Sequence, residues 1–129
     1  FTNLLGNISI VDPYWGERTL DILENINRGT VCLLTRIENL RDREKGKLLR
    51  EIADFKTENP DVEFRDYPSH DIHDRYIISE DQVILIGHSI KDLGGKETFA
   101  VILDREDYGE IYEALNRNFN NRWTMSPII

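Results

Sequence analysis

The sequence predicts an α/β domain built on a mixed sheet, in the order β-α-β-α-β-β-β-β-α with helices on both faces. Three observations predict it. In the first half, β-forming runs alternate with segments whose apolar residues recur at helical spacing, and helical crossovers between strands imply parallel neighbours. One of those runs, "TVCLLTRI" at 30–37, is continuously apolar and β-branched, the pattern of a strand buried on both faces. In the second half, three β runs follow one another across short polar turns, which favours hairpins and an antiparallel edge on the same sheet.

Each element follows in order. "NISIVDPYW" is a β-rich run ended by Pro13, and "GERTLDILENINRG" places Leu20, Leu23 and Ile26 at helical spacing before Gly29, a C-terminal stop. After "TVCLLTRI" a second helix is expected from Asn39 or Asp42 to about Glu58, with Leu48, Ile52 and Phe55 on one face and Pro60 just past its end. "DVEFRDYP" alternates as a half-exposed strand does. "IHDRYIIS", "QVILIGHS" and "ETFAVILD" supply the three remaining strands. Asp107 opens the last helix with Glu110 three positions on, a capping-box-like start, and Tyr108, Ile111, Leu115 and Phe119 form its expected buried stripe.

The 129 residues suit one domain, and no repeat, low-complexity tract or linker divides them, so residues 1–129 are read as a single unit. The chain opens without an initiator methionine, which points to a domain cut from a longer protein. Hydrophobic residues make up 40% and charged residues 31%, the profile of a globular chain, and no apolar run reaches the roughly 18–20 residues of a membrane span. The lone Cys32 is expected to be a buried, inert thiol, and with it a reducing, cytoplasmic setting is expected. A formal net charge of −8 makes the surface as a whole repel phosphate backbones and anionic membranes, so any anion site must be local.

All three histidines fall within residues 70–96, "HDIHDRYIISEDQVILIGHSIKDLGGK". Extended backbone through this stretch would set His73, Arg75 and Ile77 on one side and Asp74, Tyr76 and Ile78 on the other, with like-facing neighbours roughly 6.6–7 Å apart. An imidazole beside a guanidinium suits a phosphoryl group: the ring can act as nucleophile or acid/base, and the planar cation can hold two phosphate oxygens. Farther on, Gly87 allows close backbone approach and Ser89 offers a neutral donor.

These residues resemble the signature of phospholipase D-like enzymes: His-x-Lys, four residues, Asp, six residues, then Gly-Ser or Gly-Thr. Here His73-Asp74-Arg75, Glu80 and Gly87 keep the spacing, with Arg75 for lysine, Glu80 for aspartate, and His88 set between Gly87 and Ser89. The order of elements resembles one phospholipase D-like module over nearly the whole chain. The "HDR" variant is similar to a branch that includes the C-terminal phospholipase D-like domain of microtubule-interacting-and-trafficking proteins, a lipid-binding, non-cleaving module, and related bacterial domains. The resemblance implies His73 as nucleophile or acid, Arg75 as phosphate clamp, Glu80 as the residue orienting the imidazole, and Ser89 as an oxygen contact. It also implies a homodimer, because one copy of the motif needs a second chain to bring two His73 side chains together at a twofold axis. No metal or other cofactor is needed in that scheme. The expected ligand is a phosphodiester, either a phospholipid head group or nucleic acid, with peripheral membrane contact and other domains of the parent protein as further partners.

Other readings of single features stand beside this one. His70, Asp71, His73, Asp74 and His88 offer metal-ligating atoms, but an extended strand puts His70 and His73 on opposite faces and no paired cysteines complete a cage. "KDLGGK" at 91–96 reads as a turn between strands from which Lys91 could reach a phosphate; it lacks the spacing of a P-loop. Asp12 and Tyr14 read equally as strand-exit residues and as rim contacts, at the edge where open α/β sheets place ligands. His70 is read as a turn residue, and "RIENLRDREKGKLLRE" as the solvated face of the second helix. The expected function is phosphate recognition by a divergent, non-catalytic or weakly active module. The alternative is a homodimeric, metal-independent phosphodiesterase or nuclease with a histidine nucleophile.

Overall fold

A computed structural model describes residues 4, 6–14, 17–25, 29–72, 75–86 and 100–129. Six strands form one sheet: β1 (Ile8–Val11), β2 (Val31–Thr35), β3 (Val62–Asp66), β4 (Tyr76–Ile78), β5 (Gln82–Ile86) and β6 (Ala100–Asp104). Three α-helices accompany them, α1 (Glu17–Asn25), α2 (Asp42–Glu58) and α3 (Gly109–Thr124), with a short 3₁₀ turn at Ile37–Asn39. The spatial order is β3-β2-β1-β4-β5-β6. β1, β2 and β3 run parallel, and β4, β5 and β6 continue antiparallel from β1. This is the mixed sheet expected from the sequence.

Side-chain alternation along the strands divides the core into two layers. Ile8, Ile10, Val31, Leu33, Val62, Phe64, Ile77 and Ile84 face one side, where Leu20 and Leu23 of α1 and Leu48, Ile52 and Phe55 of α2 cover them. Val11, Leu34, Tyr76, Ile78 and Val83 face the other, covered by Tyr112 and Phe119 of α3. Ile77 therefore points away from Tyr76 and Ile78, as pleating requires. Among the described residues, no helix is long and apolar enough to cross a membrane.

Several local expectations are corrected. α2 starts at Asp42, so the charged run does not all lie on the helix: Arg36 is only 5% exposed and belongs to the connection after β2. The α3 stripe is rotated. Tyr108 is the residue capping the helix, without a side-chain capping bond, and both it and Ile111 are exposed, whereas Tyr112 is buried. The reason is polar: the Tyr112 hydroxyl donates to the Ser79 carbonyl and its ring lies 4.5 Å below the Arg105 guanidinium, contacts that Ile111 could not make. Cys32 is half-buried rather than buried, with its thiol pushed up by desolvation and, secondarily, by the Glu63 carboxylate. Ile26 lies outside the described residues.

Candidate functional site

The carboxyl ends of the three parallel strands gather the residues of interest. Val11 pairs with Tyr76 and Tyr76 with Leu85, so the start of β4 and the end of β5 come to the same edge. Asp12 and Tyr14 follow β1, Arg36 follows β2, Tyr67 and Ser69 follow β3, and Arg75 precedes β4.

A side-chain network shapes this edge. The Asp12 carboxylate accepts the Tyr14 N–H at 3.0 Å, an Asx turn around Pro13 that sets the tyrosine ring. Asn39 donates to the Pro13 carbonyl at 2.8 Å and accepts from Arg36 Nη1 at 3.0 Å. Arg36 also donates from Nε to the Ser69 carbonyl at 2.7 Å and from Nη2 to Glu38 at 3.0 Å. Its guanidinium is thus occupied at every nitrogen in tying three loops together. On the far side, the Tyr67 hydroxyl donates to Asp71 at 2.7 Å. Burial and that carboxylate acceptor push the Tyr67 phenol up, while the same bond is the main cause holding the Asp71 carboxyl below its ordinary value.

Arg75 differs from Arg36 in one decisive respect. Its main-chain carbonyl accepts from Ile86 N–H at 3.0 Å, which anchors the residue at the head of β4. Its guanidinium carbon sits 4.8 Å from the centroid of the Tyr14 ring. The Nε atom is buried and has no hydrogen-bond partner among the described residues. A guanidinium held by its face keeps its N–H groups in the plane, directed at whatever occupies the edge. Such a group can hold an oxyanion by paired charge-assisted bonds.

The expected site residues separate accordingly. Asp12, Tyr14 and Arg75 are brought together at the carboxyl edge: the Asp12 carboxylate accepts the Tyr14 N–H, and the Tyr14 ring lies under the Arg75 guanidinium. Glu80 is not brought there: it lies in the β4–β5 turn, beyond the other end of β4, with its carboxyl group packed against Gly6 ahead of β1. A three-residue strand spans only roughly 10 Å, but that still separates Glu80 from Arg75 by the height of the sheet. His73, Asp74, Gly87, His88, Ser89 and Lys91 lie outside the described residues. His70 sits in an exposed bend, as expected of a turn residue. The Arg36–Asn39 network went unread because it joins residues distant in sequence, and Arg36 stood in a run that looked like a solvated helix face.

The six-stranded mixed sheet with helices on both faces is an α/β fold of a kind known from solved structures. The structure resembles Nuc from Salmonella typhimurium, a phospholipase D family member, with a TM-score of 0.68 and 12% identity, over 99% of this chain and 84% of that one. It also resembles TrmBL2, an archaeal chromatin protein described as showing a novel mode of DNA binding, with a TM-score of 0.61 and 16% identity over 99% of this chain. This chain spans about half, 47%, of the length of TrmBL2. No protein-family profile and no curated protein matches the sequence.

Proposed function

We propose that this domain recognises the phosphate of a phosphodiester, such as a phospholipid head group, at the carboxyl edge of its sheet, without cleaving it. The observation that carries the reading is Arg75: a guanidinium oriented on Tyr14, with a buried Nε that makes no hydrogen bond among the described residues. His73, Ser89 and Lys91 would add contacts, as the motif spacing suggests. Arginine in the lysine position favours binding over turnover, because its broad fork does not substitute for a compact ammonium in a site shaped around one. The "HDR" variant points the same way, toward the non-cleaving branch it resembles. A net charge of −8 favours a compact ligand with one phosphate over a long polyanion, even though TrmBL2 is a DNA-binding protein. The half-buried Cys32 thiol suits a reducing cytoplasm.

The test is titration with glycerophosphocholine and, separately, with a short DNA duplex, followed by NMR. Arg75→Ala should weaken head-group binding by about tenfold or more, since charge-assisted bonds contribute roughly 1.5–3 kcal/mol. Unchanged affinity in Arg75→Ala removes the basis of the proposal, and stronger binding of the duplex would replace the ligand class.

The likeness to Nuc favours a second reading, a homodimeric, metal-independent phosphodiesterase. In it, His73 of one chain attacks phosphorus and displaces the leaving oxygen, which takes its proton from His73 of the other chain. Water then releases the phosphate from the ring. Hydrolysis of bis-(p-nitrophenyl) phosphate in the presence of chelator, lost in His73→Ala, would establish that reading over the first.

A further inference from the structure

The β6 edge of the sheet carries a surface that the phosphate site does not use. Arg105 N–H donates to the Asp81 carbonyl at 2.8 Å, and β6 pairs with β5 in the register Val83↔Leu103, Ile84↔Ile102 and Leu85↔Val101. Main-chain groups on an antiparallel strand alternate between its two neighbours, so residues 101, 103 and 105 address β5. The N–H and C=O groups of Ala100, Ile102 and Asp104 therefore point off the edge. Asp104 uses its carbonyl for the Tyr108 N–H at 2.9 Å; no partner occurs for the Ala100 and Ile102 groups among the described residues. The side chains there are apolar and open to solvent: Val101 is 44% and Ile102 58% exposed. Tyr108 and Ile111 of α3, on the side of the sheet that Val101 and Leu103 face, are exposed as well.

Unprotected sheet edges invite pairing, and natural sequences usually guard them with charges, proline or a covering segment. Residues 100–103, "AVIL", carry no charge and no proline in a chain that is 31% charged, and no covering segment occurs there among the described residues. The edge is also self-complementary. A twofold axis perpendicular to the sheet and just outside β6 at Ile102 sets Ile102 against its own copy as a hydrogen-bonded pair and Ala100 against the copy's Asp104. Val101 then meets the copy's Leu103 at the closer, non-hydrogen-bonded spacing. Asp104 faces alanine rather than another carboxylate, so a chain of net charge −8 makes this symmetric contact through its neutral strip.

We propose that β6 is a homodimerisation edge, at which two copies of this chain join their sheets antiparallel into one twelve-stranded sheet. An isologous contact of this kind closes on itself and leaves no further edge to propagate, because the β3 edge is covered. The twofold reverses strand direction, so the two carboxyl edges, each with its Arg75, face opposite ways. That geometry differs from the His73-to-His73 axis of a two-histidine enzyme and leaves each phosphate site complete on one chain.

Analytical ultracentrifugation of the chain over a range of concentrations provides the test. The expected result is a species of twice the 15.1 kDa chain mass. Ile102→Lys, which sets two ammonium groups opposite each other, should return it to a single chain with an unchanged circular dichroism spectrum. Ile102→Pro removes only an outward N–H and should do the same; if it fails to fold, the lysine variant decides. His73→Ala should leave the dimer intact. A single-chain mass at every concentration, a dimer that survives Ile102→Lys, or a dimer lost in His73→Ala would each overturn the proposal. None of these outcomes depends on whether phosphate binds.

Discussion

The two edges of the sheet are finished in opposite ways. At β3, the C-terminal segment lies alongside: Asp66 N–H donates to the Pro127 carbonyl at 3.0 Å, Ile129 N–H donates to the Phe64 carbonyl at 2.9 Å, and Arg65 and Ile128 form an antiparallel bridge. Lys56 fastens the segment by donating to the Ile129 main-chain oxygen at 2.7 Å, and the Arg65 guanidinium lies over Trp123 at 4.4 Å. Charges on Glu63, Arg65 and Asp66 and a proline in the covering segment guard that side further. At β6 none of this occurs among the described residues. Two edges of one sheet, with the same backbone chemistry, differ among the described residues because one has been given a cover and the other a run of four apolar residues, Ala100 to Leu103. The lesson is that an open edge in a domain that can close its other edge is a surface to be accounted for.

The contrast can be broken by substitution. The largest effect is expected at the guarded side, in Trp123→Ala, which removes a ring stacked on Phe119 at 5.5 Å and capped by Arg65. A loss of about 2–4 kcal/mol in urea unfolding is expected for a half-buried aromatic of this kind. Removing residues 127–129 deletes the cover itself, with its two main-chain bonds and the Lys56 contact, and should cost about 2 kcal/mol while leaving β3 open to association. A matched pair gives the finest measure. Val62→Thr, in a strand residue only 4% exposed, should cost about 1–2 kcal/mol, whereas Val101→Thr on the open edge should stay within about 0.5 kcal/mol for the single chain. Equal losses in that pair would show β6 to be as enclosed as β3, and the comparison would fail.

Strand runs and the α2 stripe of Leu48, Ile52 and Phe55 were legible because burial on a periodic element writes its period into the residues. The α3 stripe was misread by one position. Ile111 and Tyr112 are adjacent, and apolarity alone favours the isoleucine; the tyrosine is inside because a carbonyl at Ser79 and a guanidinium at Arg105 meet it there. At the carboxyl edge, the structure sets Arg75 beside Tyr14, and the placement of Asp12 and Tyr14 was legible from the strand exit. The Arg36–Asn39–Pro13 network was not, since no local pattern signals which of several arginines will be turned inward.

The order of elements and the parallel first half and antiparallel second half were determined by the sequence alone, because periodicity and turn residues are properties of neighbours along the chain. Only the tertiary structure decided that Arg36 is consumed in bracing loops while Arg75 Nε makes no hydrogen bond among the described residues, that Glu80 lies away from the carboxyl edge, and that the C-terminal segment covers one sheet edge while no cover occurs at the other among the described residues. Those outcomes depend on which distant groups meet, and a hydrogen bond or a stacked ring is settled by distance in space, which sequence separation does not record.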